Sequence, residues 1–366
     1  MKKHLLFVFG TRPEVIKLAP LISVLRKNGK LSIEICNTEQ QKELSNQAMN
    51  YFGIKPDISL DVMTANQTLT NLQTKLMKNL QTVFDRKHYD GVVIQGDTMT
   101  VLAAALVSFY NKVPVFHVEA GLRTQDLYSP FPEECIRRLV SRIAELHFAP
   151  TEMEKEVLLS EGISEKKVYV TGNTSIDAVK ALVGDYVYQN KKHNKQILVT
   201  VHRRENQGKK LLNIISAVKA LAQEFPDFNF VLPVHPNPNV KNIIESSLSC
   251  EPNIDLCPPL DYPELITRMA HSSMIMTDSG GIQEEATLFG IPIIVLRDST
   301  ERMEGVYSGH SYLVGTEQEK IISMVSYFLR GGKQRISKLY PYGNGTASVM
   351  ISQVIEDYLT NNVTTV

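Results

Sequence analysis

Residues 5–17 read LLFVFGTRPEVIK: an apolar run, a glycine, then a helical pattern that starts near Pro13 and carries Lys17. A buried strand that passes through a tight turn straight into a helix is the opening of a βαβ unit, and the same alternation recurs along the whole chain. Strands are expected at Leu5 to Phe9, Ser32 to Cys36, Gly91 to Ile94, Val115 to Val118 and Leu146 to Ala149, with helices such as Thr100 to Asn111 and Pro132 to Ile143 between them. A polar stretch, Asp185 to Lys195, interrupts the pattern and marks a domain seam. The alternation restarts at Gln196 to Val201 and continues with Phe228 to Val234, a short strand near Ile254, Ser273 to Thr277 and Ile293 to Val295. A last amphipathic segment, Ala347 to Tyr358, fits against either domain. With 366 residues, more than one hydrophobic core usually supports, the expected fold class is α/β with two Rossmann-like domains, residues 1–175 and 176–346.

Hydrophobic residues make up 43% and charged residues 21%, and no stretch nears the roughly 20 apolar residues of a membrane span. The apolar start is followed at once by Arg12 and Glu14 with no small-residue cleavage site, so it reads as a strand rather than a signal peptide. Cys36, Cys135, Cys250 and Cys257 show no C-x-x-C spacing, so no metal site or disulfide framework is expected, and a cytoplasmic, reducing location is. The 39 basic and 39 acidic residues balance, and no basic run interleaved with aromatics points to nucleic acid. Any anion site is therefore local.

In open parallel sheets ligands bind beyond the carboxyl ends of the strands, and the polar clusters of this chain fall there. Gly10-Thr11-Arg12-Pro13-Glu14, with Lys17 in the following helix, combines a turn, two cations and a helix amino terminus, suited to an anion. Asp97 follows the strand at Gly91 and is either a cleft carboxylate, a helix cap, or both. His117 and Glu119 alternate with Val118, which puts both on one face of a strand end. Glu133 and Glu134 open a helix, where dipole complementation alone is sufficient reason for acids. In the second half, His202-Arg203-Arg204-Glu205-Asn206 and His235-Pro236-Asn237-Pro238 each follow a strand. Asp278-Ser279-Gly280-Gly281 reads as a phosphate cradle, with a glutamate one turn on placed to accept from ribose hydroxyls. The acids Asp97, Glu119 and Glu133 concentrate in the first half, while anion-binding groups occur in both, as a nucleotide diphosphate reached from both domains requires.

The runs FGTRPEVIKLAP from Phe9, QGDT from Gln95, HVEAGLRT from His117, SPFPEE from Ser129, TGNTSID from Thr171, HRREN from His202, PVHPNP from Pro233, TDSGGIQEEA from Thr277 and LRDSTER from Leu296 form an ordered series over nearly the whole chain. The series resembles the non-hydrolysing UDP-N-acetylglucosamine 2-epimerases. The resemblance implies the GT-B architecture, two Rossmann-like domains facing a central cleft, with the carboxy-terminal helix, about 347–366, packing back on the first domain. It also implies interconversion of UDP-GlcNAc and UDP-ManNAc without metal or nicotinamide cofactor, through elimination of UDP to 2-acetamidoglucal and re-addition, in a homodimer serving surface polysaccharide synthesis. By motif, the catalytic candidates are Asp97, Glu119, Glu133 and His202. Arg12, Lys17, Arg137, Arg203, His235, Ser279, Gly280, Gly281, Glu285 and Arg302 match substrate-binding positions. Which acid removes the C2 proton stays open.

Departures from the family pattern cluster at a second, regulatory substrate site of bacterial relatives. The usual T-G-Q-H-R run reads Thr38-Glu39-Gln40-Gln41-Lys42, a common glutamine is Glu43, and a common arginine is Asn66; with Arg204 these form a degenerate allosteric set. Weakened or absent activation by UDP-GlcNAc is the expectation. Four rivals remain: a hydrolysing relative that releases ManNAc and UDP, an epimerase for a modified sugar, a GT-B glycosyltransferase, and a non-catalytic nucleotide-sugar sensor, the last two of which have no need of the three acids.

Overall fold

The computed structural model of the protein describes residues 2–64, 66–184, 195–234, 237–337 and 339–361; residues 185–194 of the expected seam, the tail 362–366 and His235 lie outside them. Among the described residues the first sheet contains β1 (His4–Phe9), β2 (Ser32–Asn37), β3 (Ile58–Ser59), β4 (Gly91–Gln95), β5 (Val115–Val118), β6 (Leu146–Ala149) and β7 (Val168–Val170), in the order β3-β2-β1-β4-β5-β6-β7. The second contains β8 (Gln196–Thr200), β9 (Asn229–Pro233), β10 (Ile254–Cys257), β11 (Met274–Thr277), β12 (Ile293–Val295) and β13 (Ser311–Leu313), in the order β10-β9-β8-β11-β12-β13. Every pairing is parallel. Parallel sheets are covered on both faces, which is why their strands read as unbroken apolar runs. β3, β7 and β13 were not expected from the sequence.

The connecting helices are α1 (Arg12–Asn28), α2 (Lys42–Tyr51), α3 (Leu69–Phe84), α4 (Met99–Tyr110), α5 (Glu133–Ile143), α6 (Glu152–Ser160), α7 (Thr174–Val183), α8 (Lys209–Glu224), α9 (Pro238–Leu248), α10 (Tyr262–Ala270), α11 (Gly280–Glu285), α12 (Met303–Tyr307), α13 (Gln318–Leu329) and α14 (Ala347–Asn361). In α3 the leucines at 72, 76 and 80 recur every four residues, and they bury against Val92, Ile94 and the alanines of α4. The second core joins Ile197 and Val199 of β8 to Leu211, Ile214, Val218 and Leu221 of α8 and Ile321 and Val325 of α13.

Residues 1–178 with 343–366 form one compact unit and residues 179–342 another. The division falls within α7, a few residues beyond the boundary expected at 175. Asp177 accepts from the backbone N–H groups of Ala347 at 3.3 Å and Ser348 at 2.8 Å, and so holds the amino terminus of α14 to the first unit. Near the other end of that helix the buried Glu356 accepts from Asn28 and Lys30, at 2.9 and 2.8 Å. Tyr342 belongs to the second unit, where its hydroxyl accepts from Gly305 N at 3.0 Å and donates to Arg302 O at 3.1 Å.

In each sheet the order reverses direction once, between β1 and β4 and between β8 and β11. Loops that leave such a switch point diverge to opposite faces and open a crevice at the strands' carboxyl ends. The clusters at Gly10, Asp97, His117 to Glu119, His202 and Asp278 lie at the ends of these four strands and of β5.

Candidate functional site

At the first switch point the cap of α4 is Thr98, not Asp97. The Thr98 hydroxyl accepts from Val101 N at 3.3 Å and donates to Glu14 at 2.6 Å. Threonine takes this place because its extended backbone sets the hydroxyl over the first turn, which frees the Asp97 side chain. Arg137 Nη1 donates to Asp97 Oδ2 at 2.9 Å, and Arg137 is itself gripped by the fully buried Glu134, whose Oε2 accepts from its Nε at 3.0 Å. Burial pushes the Asp97 carboxyl above the usual range; Arg137 opposes this, while the nearby charges of Glu119 and Glu133 reinforce it. Glu133 is half-buried in the first turn of α5.

The alternation expected to place His117 and Glu119 on one face does not extend that far. β5 ends at Val118, and Glu119 takes a left-handed backbone conformation with φ of 64°. A non-glycine residue adopts that region at a cost of order 1 kcal/mol, so the turn aims Glu119 away from the register of the strand. Its Oε1 accepts from Lys17 Nζ and from Asn173 Nδ2, the latter at 3.0 Å, and its Oε2 from Gln95 Nε2. His117 stays within the sheet, 1% exposed, with Nε2 2.8 Å from Gly96 O, and burial pushes its imidazole down to about 4.

Glu14 locks the β1 turn to the β4 turn. Fully buried, it accepts from Gly10 N at 2.8 Å, Thr11 N at 2.7 Å and Thr98. A side chain at Gly10 would put Cβ 2.0 Å from Thr38 Oγ1, so only glycine lets these turns close. Arg12 begins α1, and its N–H reaches Gln41 Oε1 at 3.3 Å. Gln40 accepts from the Thr100 hydroxyl at 2.8 Å, whereas Glu43 and Asn66 are exposed on the first turn of α2 and ahead of α3. Among the described residues no hydrogen bond joins these three positions; the side chain of Arg204 lies outside those residues.

At the second switch point the fully buried Asp278 accepts from His202 N at 3.1 Å, Arg203 N at 2.9 Å and Asn206 Nδ2 at 2.9 Å, with His202 Nδ1 3.3 Å away. Asp278 thus faces inward and ties the β8 loop to the β11 loop, while Ser279 and α11 stand beyond it. A Cβ at Gly280 would lie 2.9 Å from Arg302 Cζ, so the missing side chain lets the guanidinium lie over the turn; nothing lies within 4 Å of a Cβ at Gly281. Arg302 is held by Glu284 at 3.0 Å and by Glu301, and Arg297 by Glu205 at 2.8 Å and Glu301 at 3.0 Å. Burial alone pushes the Glu301 carboxyl up, yet Arg302 and Arg297 override it and bring it down to about 2. Burial pushes the Arg203 guanidinium down, as does the neighbouring Arg297. Glu285 is buried and accepts from the Tyr262 hydroxyl at 3.0 Å.

The family model described as UDP-N-acetylglucosamine 2-epimerase matches residues 23–356. This chain belongs to the UDP-N-acetylglucosamine 2-epimerase family. The epimerase of that name from Neisseria meningitidis serogroup A is 42% identical over 365 residues, 96% of this chain and 98% of that one. The crystal structure of the Neisseria meningitidis enzyme bound to UDP-GlcNAc covers 96% of this chain and 99% of its own, with a TM-score of 0.85. A co-structure of Staphylococcus aureus MnaA with UDP, 42% identical, covers 98% and 97% with a TM-score of 0.86. MurG of Acinetobacter baumannii, 15% identical with a TM-score of 0.56, shares the fold alone.

The anchoring roles of four residues of this family member escaped the sequence reading: Glu14, Glu134, Asn173 and Asp278. Three stood within runs chosen for their neighbours, and Asn173 lay in the Thr171-Gly172-Asn173 run with no role attached. Among the described residues no group of three or more metal-ligating side chains occurs, and no helix is long and apolar enough to cross a membrane.

Proposed function

We propose that the protein interconverts UDP-GlcNAc and UDP-ManNAc by eliminating and re-adding UDP. A carboxylate takes the proton from C2 as the bond from C1 to the diphosphate oxygen breaks, leaving UDP and 2-acetamidoglucal with a double bond between C1 and C2. UDP then re-forms the bond at C1 while a proton is delivered to the opposite face of C2. Asp97, Glu119, Glu133 and His202 supply base and acid. The observation that carries this reading is the pair of constrained acids at the first switch point, Glu119 held by Lys17, Gln95 and Asn173, and Asp97 held by Arg137. Asp97, raised by burial and by neighbouring acids, suits the group that gives the proton. Loss of Glu14, Thr98 or Arg137 is expected to act through these positions, since small displacements of acid–base groups are costly.

In the second unit Arg203, His235, Ser279, Gly280, Gly281, Glu285 and Arg302 are the candidates for holding the UDP moiety; in the first unit Arg12 and Arg137 are the remaining substrate-binding candidates. The UDP and UDP-GlcNAc complexes of the relatives support a nucleotide-sugar ligand. The reaction requires no nicotinamide and no metal, and it supplies precursors for surface polysaccharide as a cytoplasmic homodimer. Exposed Glu43 and Asn66 in place of the family's effector-binding types give weakened allosteric control. Incubation of the purified protein with UDP-GlcNAc, followed by chromatography of the products, tests the reading. UDP-ManNAc is expected, with a hyperbolic saturation curve; free ManNAc with UDP indicates hydrolysis instead, and a sigmoidal curve contradicts the loss of control.

A further inference from the structure

A buried imidazole lies beneath the acids and takes no part in the steps above. We infer that His117 is a positioning residue for Asp97: its Nε2–H fixes the carbonyl of Gly96, and with it the plane of the peptide that carries Asp97. The inference rests on the reading of Asp97 as a catalytic acid.

Gly96 has φ of 80°, and without a Cβ its following peptide has little steric preference of its own. Both polar groups of Gly96 are met by β5. Its N–H donates to Val118 O at 3.1 Å, and its carbonyl lies 2.8 Å from His117 Nε2. A carbonyl only accepts, so the imidazole is the Nε2–H tautomer, neutral as its burial requires. The price of this arrangement is visible on the other side of the ring, where Nδ1 is buried with no hydrogen-bond partner among the described residues. A leucine would fill the position without that unpaired nitrogen. What leucine lacks is the donor to Gly96. Gln95, on the other side of this glycine, donates to Glu119, so one short turn sets both acids and His117 sets the turn.

The test compares the full-length protein with His117→Leu and His117→Gln. The glutamine Nε2 can reach where the imidazole Nε2 stands; leucine offers no donor. We expect H117L to lower kcat about 10- to 100-fold, with KM for UDP-GlcNAc changed less than about threefold and Tm not reduced, and H117Q to restore kcat to within about fivefold of wild type. Crystal structures of the two variants should show the peptide between residues 96 and 97 rotated in H117L and in place in H117Q. If H117L does not fold, H117N, whose shorter amide stops short of Gly96, takes its place. An unrotated peptide in the donorless variant overturns the inference, and so does H117Q failing as badly as H117L. Asp97→Asn is the control: if it keeps full activity, the reading of Asp97 falls, while the peptide orientation still decides the role of His117.

Discussion

His117 and His147 are register partners on β5 and β6, both inside the core, with imidazoles pushed down by burial to about 4 and about 3. In the unfolded chain each binds a proton below about pH 6.5, and in the folded protein neither does until the pH nears its depressed value. Their contribution to stability is therefore intact above pH 6.5 and is lost as the pH falls below it. Glu14 and Asp97, raised by burial, act in the opposite sense, so the effect is isolated by removing one histidine. Between pH 7 and pH 5, His147→Leu should lose about 2 kcal/mol less stability than wild type, read from urea midpoints. Equal losses would mean that His147 is not held neutral. At the same scale, Glu119→Gln should lower kcat by about 10² to 10⁴ in initial-rate assays, the usual worth of a positioned acid or base. Glu119 stood out in the sequence because polar residues at a strand end make poor core material, and Asp97 because it follows a strand. Glu14 and Asp278 did not stand out, since each is a buried anchor whose partners include backbone N–H groups, and nothing in a string of residues marks which carboxylate turns inward.

The cap of α4 shows what changes at the scale of an element. Asp and Thr both cap well, and the sequence offered Asp97 for the cap; the backbone after Gly96 decides for Thr98, which also donates to Glu14. Thr98→Ala should cost about 1 to 3 kcal/mol in urea unfolding, from the lost cap and a buried carboxylate oxygen left with one donor fewer. A cost under about 0.5 kcal/mol would show the cap to be replaceable by water. Gly121 is stricter. Its φ is 98° and a Cβ would lie 2.5 Å from the Glu154 carbonyl oxygen, so Gly121→Ala should destabilise by about 3 kcal/mol or more and lower Tm accordingly. Element boundaries followed composition closely: β5, β6 and β12 occupy the expected residues, while β4 gains Gln95 and β9 begins one residue late.

For the molecule as a whole, alternation of strand and helix was legible, but the order of strands was not. That order follows from right-handed crossovers and the covering of both sheet faces, and these are properties of the assembled chain. The last helix illustrates the same limit. Its amphipathic pattern suited either domain, and the deciding contacts, Asp177 to the amides of residues 347–348 and Glu356 to Asn28 and Lys30, join residues more than a hundred positions apart. Asp177→Ala should therefore speed amide hydrogen exchange through the first turns of α14 while leaving the second unit unchanged; uniform protection in the variant would show that the helix docks without it. The central claim, epimerisation through exchange of the C2 proton, is tested most directly by incubating the protein with UDP-GlcNAc in deuterium oxide and following C2 by proton NMR. We expect UDP-ManNAc to form with deuterium at C2 and the remaining UDP-GlcNAc to exchange its own C2 proton; UDP-ManNAc that keeps the original proton at C2 would contradict proton abstraction by Asp97, Glu119 or Glu133.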